Sequence, residues 1–217
     1  KLRRAPQIDE RFMTWRGAGF DRKPEMMAPG HAPFPLDVGN YWHYQTRETD
    51  ETARARRAGR GYREEVVSVE EGLGYRVARI RTNYDRPGTP PTYSALLQTP
   101  LRVYPCDREC VRRASDAEWI LDYAHRTTPR LVLPLSLGSQ WGRGGRPTQE
   151  RGHRVALEPA QAEVPSGPFD DAPAITRSTS RGREVRRVVR GVGTVMPRPA
   201  SATSAEIDEL VESRILH

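Results

Sequence analysis

The sequence predicts a mainly β fold: a single curved antiparallel sheet or open half-barrel, with an extended N-terminal arm and little helix. Three observations lead there. Proline (19) and glycine (18) are abundant and only 36% of residues are hydrophobic, which favours short strands joined by loops over long helices. Apolar residues alternate over short runs bounded by turn residues. The stretch Phe34-Pro35-Leu36-Asp37-Val38-Gly39-Asn40-Tyr41-Trp42-His43-Tyr44 describes a chain that turns sharply at Gly39-Asn40 and enters a first core strand. At 217 residues the chain is long enough to bury a substantial core.

Residues 1–33 are expected to form the arm and residues 34–217 the β domain. The arm mixes charge, Pro and Gly with large apolar residues that follow no sustained period. A polar arm with spaced apolar anchors is ordered most easily against another surface, which makes Trp15, Phe20 and Met26 the candidate partner-binding residues. A first strand is expected over Asn40–Thr46, then a solvated loop over 48–61 carrying Arg54, Arg56, Arg57 and Arg60. Tyr62–Val69 and Tyr75–Tyr84 alternate around Gly72-Leu73-Gly74 and read as a hairpin, with Val67, Val69, Val77 and Ile80 on buried faces.

Asp85–Pro91 reads as a turn. Tyr93–Leu97 and Leu101–Tyr104 read as strands, and 106–116 as a loop or one helical turn. Glu118–Tyr123, with Trp119, Leu121 and Tyr123 at every second position, reads as a further strand. Leu133-Pro134-Leu135 and Gly138-Ser139-Gln140-Trp141 repeat the opening pattern, so the chain is expected to cross the same kind of corner twice. Strands follow around 153–157, at Glu163-Val164, over Ala172–Thr179, over Glu184–Arg190 and at Gly191–Val195 with a glycine-marked bend. In the last segment Ile207, Leu210, Val211 and Ile215 stand at helical spacing, so local pattern alone gives a helix.

Chemistry-bearing motifs are sparse. The net charge of +7 comes almost wholly from arginine, since lysine occurs only at Lys1 and Lys23. Such a bias follows coding composition as readily as selection, so it is discounted as a nucleic-acid signal, and nucleic acid is not the expected partner. A basic surface formed by Arg54, Arg56, Arg57, Arg183 and Arg187 would suit an acidic partner or an anionic membrane. Around 183–190 the arginines fit equally a solvated strand edge protected from pairing. Gly142-Arg143-Gly144-Gly145 lacks the Lys-Ser/Thr of a phosphate loop. The five histidines are widely separated, and no serine sits in a nucleophile setting.

Glu64-Glu65, Glu70-Glu71 and Asp170-Asp171 are adjacent pairs, which in strands point to opposite faces. No catalytic residue, cofactor or metal ligand is therefore assigned, and the expectation is a non-enzymatic protein. Cys106 and Cys110 leave three states open: a small disulfide loop, two free thiols, or part of a metal or redox site. No run approaches the roughly 18 apolar residues of a membrane span. The chain starts at Lys1 and not at Met, which suits removal of an export signal or lipoprotein leader and equally an arbitrary boundary.

Phe-Pro-Leu-x-x-Gly-Asn-x-Trp-x-Tyr at 34–44, Leu-Pro-Leu-x-x-Gly-x-x-Trp at 133–141, Val-Pro-x-Gly-x-Phe-Asp at 164–170, Gly-Val-Gly-x-Val at 191–195 and Glu209-Leu210 occur in one order. Together they resemble a broad group of uncharacterised bacterial exported proteins and lipoproteins, whose fold is similar to the open curved sheet of periplasmic lipoprotein carriers. The resemblance spans residues 34–215 and implies that the last segment is a strand closing the sheet, against its helical spacing. It transfers no catalytic residue.

Two functions from different classes are expected. One is an extracytoplasmic accessory or scaffold subunit, periplasmic or membrane-associated, that docks on a membrane-associated protein complex. The other is a carrier of a lipid or other hydrophobic ligand within the curved sheet, with Trp42, Trp119 and Trp141 lining the cavity.

Overall fold

A computed structural model describes residues 34–48, 61–135, 138–142, 153–155, 162–179, 182–189, 191–198 and 206–216. The arm, with Trp15, Phe20 and Met26, lies outside the described residues, as do Arg54, Arg56 and Arg57.

Strands β1 (Tyr41–Glu48), β2 (Gly61–Gly72), β3 (Tyr75–Tyr84), β4 (Thr92–Thr99) and β5 (Arg102–Cys106) run as an antiparallel meander. Two short helices follow, α1 (Arg108–Arg112) and α2 (Ala117–Arg126). Then come β6 (Leu131–Val132), β7 (Gln140–Trp141), β8 (His153–Val155), β9 (Ala162–Val164), β10 (Gly167–Phe169), β11 (Ala174–Thr179), β12 (Gly182–Val189), β13 (Gly193–Arg198) and β14 (Glu206–Arg214). A seven-stranded sheet in the order β14-β1-β2-β3-β4-β5-β6 curls into an antiparallel half-barrel. A five-stranded sheet, β13-β12-β11-β8-β7, faces it, and β9 and β10 form a separate hairpin.

The predicted fold class is therefore observed, and so is the closing strand. β14 pairs with β1 from Tyr41–Arg214 to Glu48–Glu206, and the register shifts between His43 and Tyr44. Val211 is the extra residue there. A bulge adds one position to a period of two, so Leu210 and Ile215, five residues apart, both pack on the core, and with Ile207 and Val211 in the same strand the apolar residues imitate helical spacing. The same device acts in β2. Val67 is the extra residue between Val66 and Ser68, so Val66 is buried and Val69 packs on the same core, while Val67, expected inside, is half-buried.

β3, β4 and β5 are buried on both faces. Ala78, Ile80, Leu96 and Val103 face the short sheet and join Trp42, Tyr44, Ile175 and Val195 in the main core. Val77 and Leu97, with Tyr75 and Tyr104, face the helices on the other side.

Here the structure corrects the reading of Glu118–Tyr123. It is helix α2, with Ile120 and Ala124 buried four residues apart and Leu121 exposed. Asp116 caps it by accepting from the Trp119 N–H at 3.1 Å, and Trp119 stacks on Tyr123 at the same i, i+4 spacing. The cap and the four-residue spacing outweigh the apparent alternation. Cys106 and Cys110 are joined by a disulfide across the turn from β5 into α1, which settles the three open states in favour of the first.

The two corners match bond for bond. Gly39 (φ 91°) donates to Val66 O at 2.9 Å and Val66 donates back to Asn40 O at 2.9 Å. Gly138 (φ 78°) donates to Val155 O at 3.1 Å and Val155 donates back to Ser139 O at 2.9 Å. Three residues beyond each glycine lies a buried tryptophan, Trp42 or Trp141. Positive φ at both glycines strains any residue with a Cβ, so Gly39→Ala and Gly138→Ala should each lower stability by about 1–2 kcal/mol. Urea denaturation measures this, and an unchanged midpoint for either variant refutes the equivalence of the corners.

Candidate functional site

A cavity opens between the two sheets, with an apolar floor that includes Leu96, Val103 and Ile175. Arg130, Arg177, Arg186 and Glu184 also line it, together with His153. The charge follows from strand alternation in β12, where Glu184, Arg186 and Val188 share the inward face. Arg187 faces away and donates from Nη1 to Ala172 O at 3.1 Å. β12 lies between β11 and β13, so its arginines do not form the solvated edge that the sequence suggested as one reading. Arg183 also lies in β12.

Both corner tryptophans position the cavity wall. Trp141 donates from its indole to Pro129 O at 2.9 Å, which fixes the chain at Arg130, while the Arg130 backbone N–H donates to Val103 O at 2.7 Å. His153 stacks on the same indole, with its ring 5.3 Å from that of Trp141 and within 7° of parallel. Trp42 donates to Val192 O, and Tyr44 donates to Thr194 O at 2.8 Å, so the turn before β13 is held to β1.

Glu184 accepts a hydrogen bond from Arg186 and forms an ion pair with Arg177 at 3.8 Å. From the long sheet, Tyr62, Glu64 and Asp208 face this group; Asp208 accepts from Thr46 Oγ1 at 2.8 Å and from Tyr62 Oη at 3.2 Å. Burial, and then the positive charges of Arg130 and Arg177, lowers the Arg186 guanidinium to about 9. Burial pushes the Glu64 carboxyl up despite Arg130 and Arg186. His153 is 6% exposed, and its Nδ1 is buried without a hydrogen-bond partner. Burial and the three arginines lower it to about 4, so the ring is neutral at pH 7.

The sequence-assigned tryptophans do not share one cavity. Trp42 and Trp141 belong to the core between the sheets, whereas Trp119 packs on the helix side of the long sheet. The cavity volume is about 20 Å³, room for about one water molecule. Arg130, His153, Arg177 and Arg186 were not singled out in the sequence as one group. Only the inward alternation of β12 could have flagged Arg186, and nothing local places Arg130 opposite it.

No family model matches the chain, and no curated protein does. Two solved structures are similar in shape. A candidate lipoprotein from Parabacteroides distasonis matches with a TM-score of 0.51 and 9% identity, over 85% of this chain and 99% of that one. A candidate exported protein with a YmcC-like fold from Bacteroides fragilis matches with a TM-score of 0.48 and 9% identity, over 83% and 98%. The first likeness shows the fold; nothing further is drawn from the second.

The buried neutral His153 makes stability depend on pH. Its folded value lies below the ordinary 6.5, so between about pH 6.5 and 4 the unfolded chain holds the extra proton and stability falls as pH falls. His153→Phe retains a ring on Trp141 and removes the titration. From pH 7 to pH 5 the parent should lose about 1–2 kcal/mol more than this variant in urea denaturation. Glu64 works in the opposite direction in both proteins and cancels in the comparison; equal losses would show that His153 is not neutral and buried.

Proposed function

We propose that the chain is a non-enzymatic accessory subunit, working outside the cytoplasm, that docks on a membrane-associated protein assembly. The observation that carries the docking reading is an apolar end of the half-barrel. Leu73 in the β2–β3 turn is 69% exposed, and Val38 in the first corner and Leu101 in the β4–β5 turn are 53% exposed each. The register brings them to one end: Gly72 pairs with Tyr75, Arg76 with Gln98, and Thr99 with Arg102. Asp37, next to Val38, bonds Arg76 at 2.7 Å, and the exposed Leu216 donates from its N–H to Asn40 Oδ1 at 2.7 Å. Single exposed aliphatics are ordinary, but several from separate segments at one end fit a contact surface. The arm joins the domain at Phe34, beside the first corner.

Two observations support the location. The Cys106–Cys110 disulfide belongs with an oxidising compartment. The fold is similar to that of a candidate lipoprotein, in keeping with the ordered motifs that resemble exported proteins and lipoproteins. Carriage of a hydrophobic ligand has less support, because an acyl chain does not fit a cavity with room for about one water unless the sheets separate.

The test is isolation from native membranes in mild detergent, with the mass of the protein-containing species determined. The parent should migrate with a larger complex of fixed stoichiometry. Leu73→Glu/Leu101→Glu should migrate as a free monomer with its stability changed by no more than about 0.5 kcal/mol per site, as for surface substitutions. A parent that is already a free monomer with extractable lipid would replace this reading with the carrier.

A further inference from the structure

We propose that the edge of β2 left open beyond the first corner takes an added strand, and that the strand is residues 11–16 of this chain's own N-terminal arm. Backbone direction alternates along β2. Val66 donates to Asn40 O and accepts from the Gly39 N–H, so its polar groups turn away from β3. At the bulge Val67 and Ser68 together oppose Arg79, and beyond it the alternation turns Val69 and Glu71 away from β3 as well. On that side β1 pairs only with Gly61 to Glu65, and among the described residues nothing bonds the backbone of Val69 or Glu71. β2 therefore runs past its neighbour with the N–H and C=O of both residues open. An open edge of this kind is completed by an extended segment through main-chain hydrogen bonds.

Charge, sequence and tether select the arm as the occupant. Glu70 and Glu71 on the open edge are exposed, and Arg76, 3.1 Å from Glu71, is shared with Asp37 at 2.7 Å. Two copies joined edge to edge would bring these glutamates together, and like charges facing each other destabilise a strand pair. A basic segment is attracted instead. In the arm, Arg11-Phe12-Met13-Thr14-Trp15-Arg16 is a run without Gly or Pro, rich in strand-forming residues and bounded by two arginines. Residues 17–33 join it to Phe34, with Gly or Pro at 17, 19, 24, 29, 30 and 33. A flexible chain of that length spans roughly 20 Å on average. Phe34 stands five residues before Gly39, whose N–H bonds Val66 O where the open edge begins, so the tether holds the run near the edge at high effective concentration. The inference goes beyond the docking reading and does not rest on it.

Amide hydrogen exchange, read residue by residue by NMR on the full chain, tests this. In the parent the Val69 and Glu71 amides should exchange about tenfold or more slowly than unstructured amides. Thr14→Pro removes a donor from the run and breaks a strand there, so it should release both amides while Val66, bonded to Asn40 O, stays protected and reports an intact domain. Arg11→Glu/Arg16→Glu sets like charges against Glu70 and Glu71 and should lower the protection of the same two amides severalfold. Free exchange at Val69 and Glu71 in the parent overturns the proposal and leaves the edge to a partner protein. Protection that fades on dilution overturns it in favour of a second copy, and protection that persists in Thr14→Pro overturns the assignment to the arm. Migration in detergent enters none of these outcomes, so this inference and the docking reading fail separately.

Discussion

The closure of this fold depends on two indole N–H groups that cannot be left unpaired. Trp42 and Trp141 are almost wholly buried, and a buried indole must find an acceptor. Trp42 finds Val192 O, 150 residues away in sequence, and so ties the first strand of the long sheet to the turn that opens β13. That approach requires Gly193, at φ 102°, because a Cβ there would lie 3.2 Å from Trp42 Nε1 and 3.3 Å from Phe34. Tyr44 adds a second tie to Thr194 O from the same face of β1. Trp141 secures Pro129 O at 2.9 Å, next to the cavity-lining Arg130.

Much of this was legible in the sequence, for a physical reason. A sharp corner into a strand needs Gly at positive φ, and a core anchor three residues on needs a large aromatic, so the Gly39–Trp42 and Gly138–Trp141 spacings are visible as a repeat. Most strands showed as alternation between turn residues. What misled was the phase of alternation: bulges at Val67 and Val211 each shift it by one, and no local residue announces a bulge. Helix α2 was obscured differently. Trp119, Leu121 and Tyr123 stand at every second position, but Asp116 as a cap and the four-residue steps Trp119–Tyr123 and Ile120–Ala124 contain the stronger signal.

The helical layer has a mechanical role. β3, β4 and β5 would otherwise expose Val77, Leu97 and Tyr104 on the outer face of the half-barrel. Helices α1 and α2 cover them, and their attachment is dense: Tyr75 Oη donates to Ala114 O at 2.8 Å, Tyr123 Oη donates to Pro105 O at 3.1 Å, and Asp107 accepts from the Cys110 N–H at 2.9 Å. The disulfide closes a loop of few residues, so by loop entropy it contributes only about 2 kcal/mol. Its larger effect is local, fixing where α1 starts and hence where the cover sits over the middle of the meander.

The candidate site was the least legible part because it is assembled from distant segments. Arg130 follows the helices, His153 opens β8, Arg177 ends the β11 pairing with β8, and Arg186 is in β12. Each alone reads as a solvated charge. The fold turns them toward one another by alternation and by the Trp141 clamp, in a place where burial lowers the Arg186 pKa and leaves His153 neutral. Only Arg186 and Glu184 are largely buried as a pair, and because replacing a buried ion pair by well-packed apolar groups is often stabilising, that pair adds little net stability to the core.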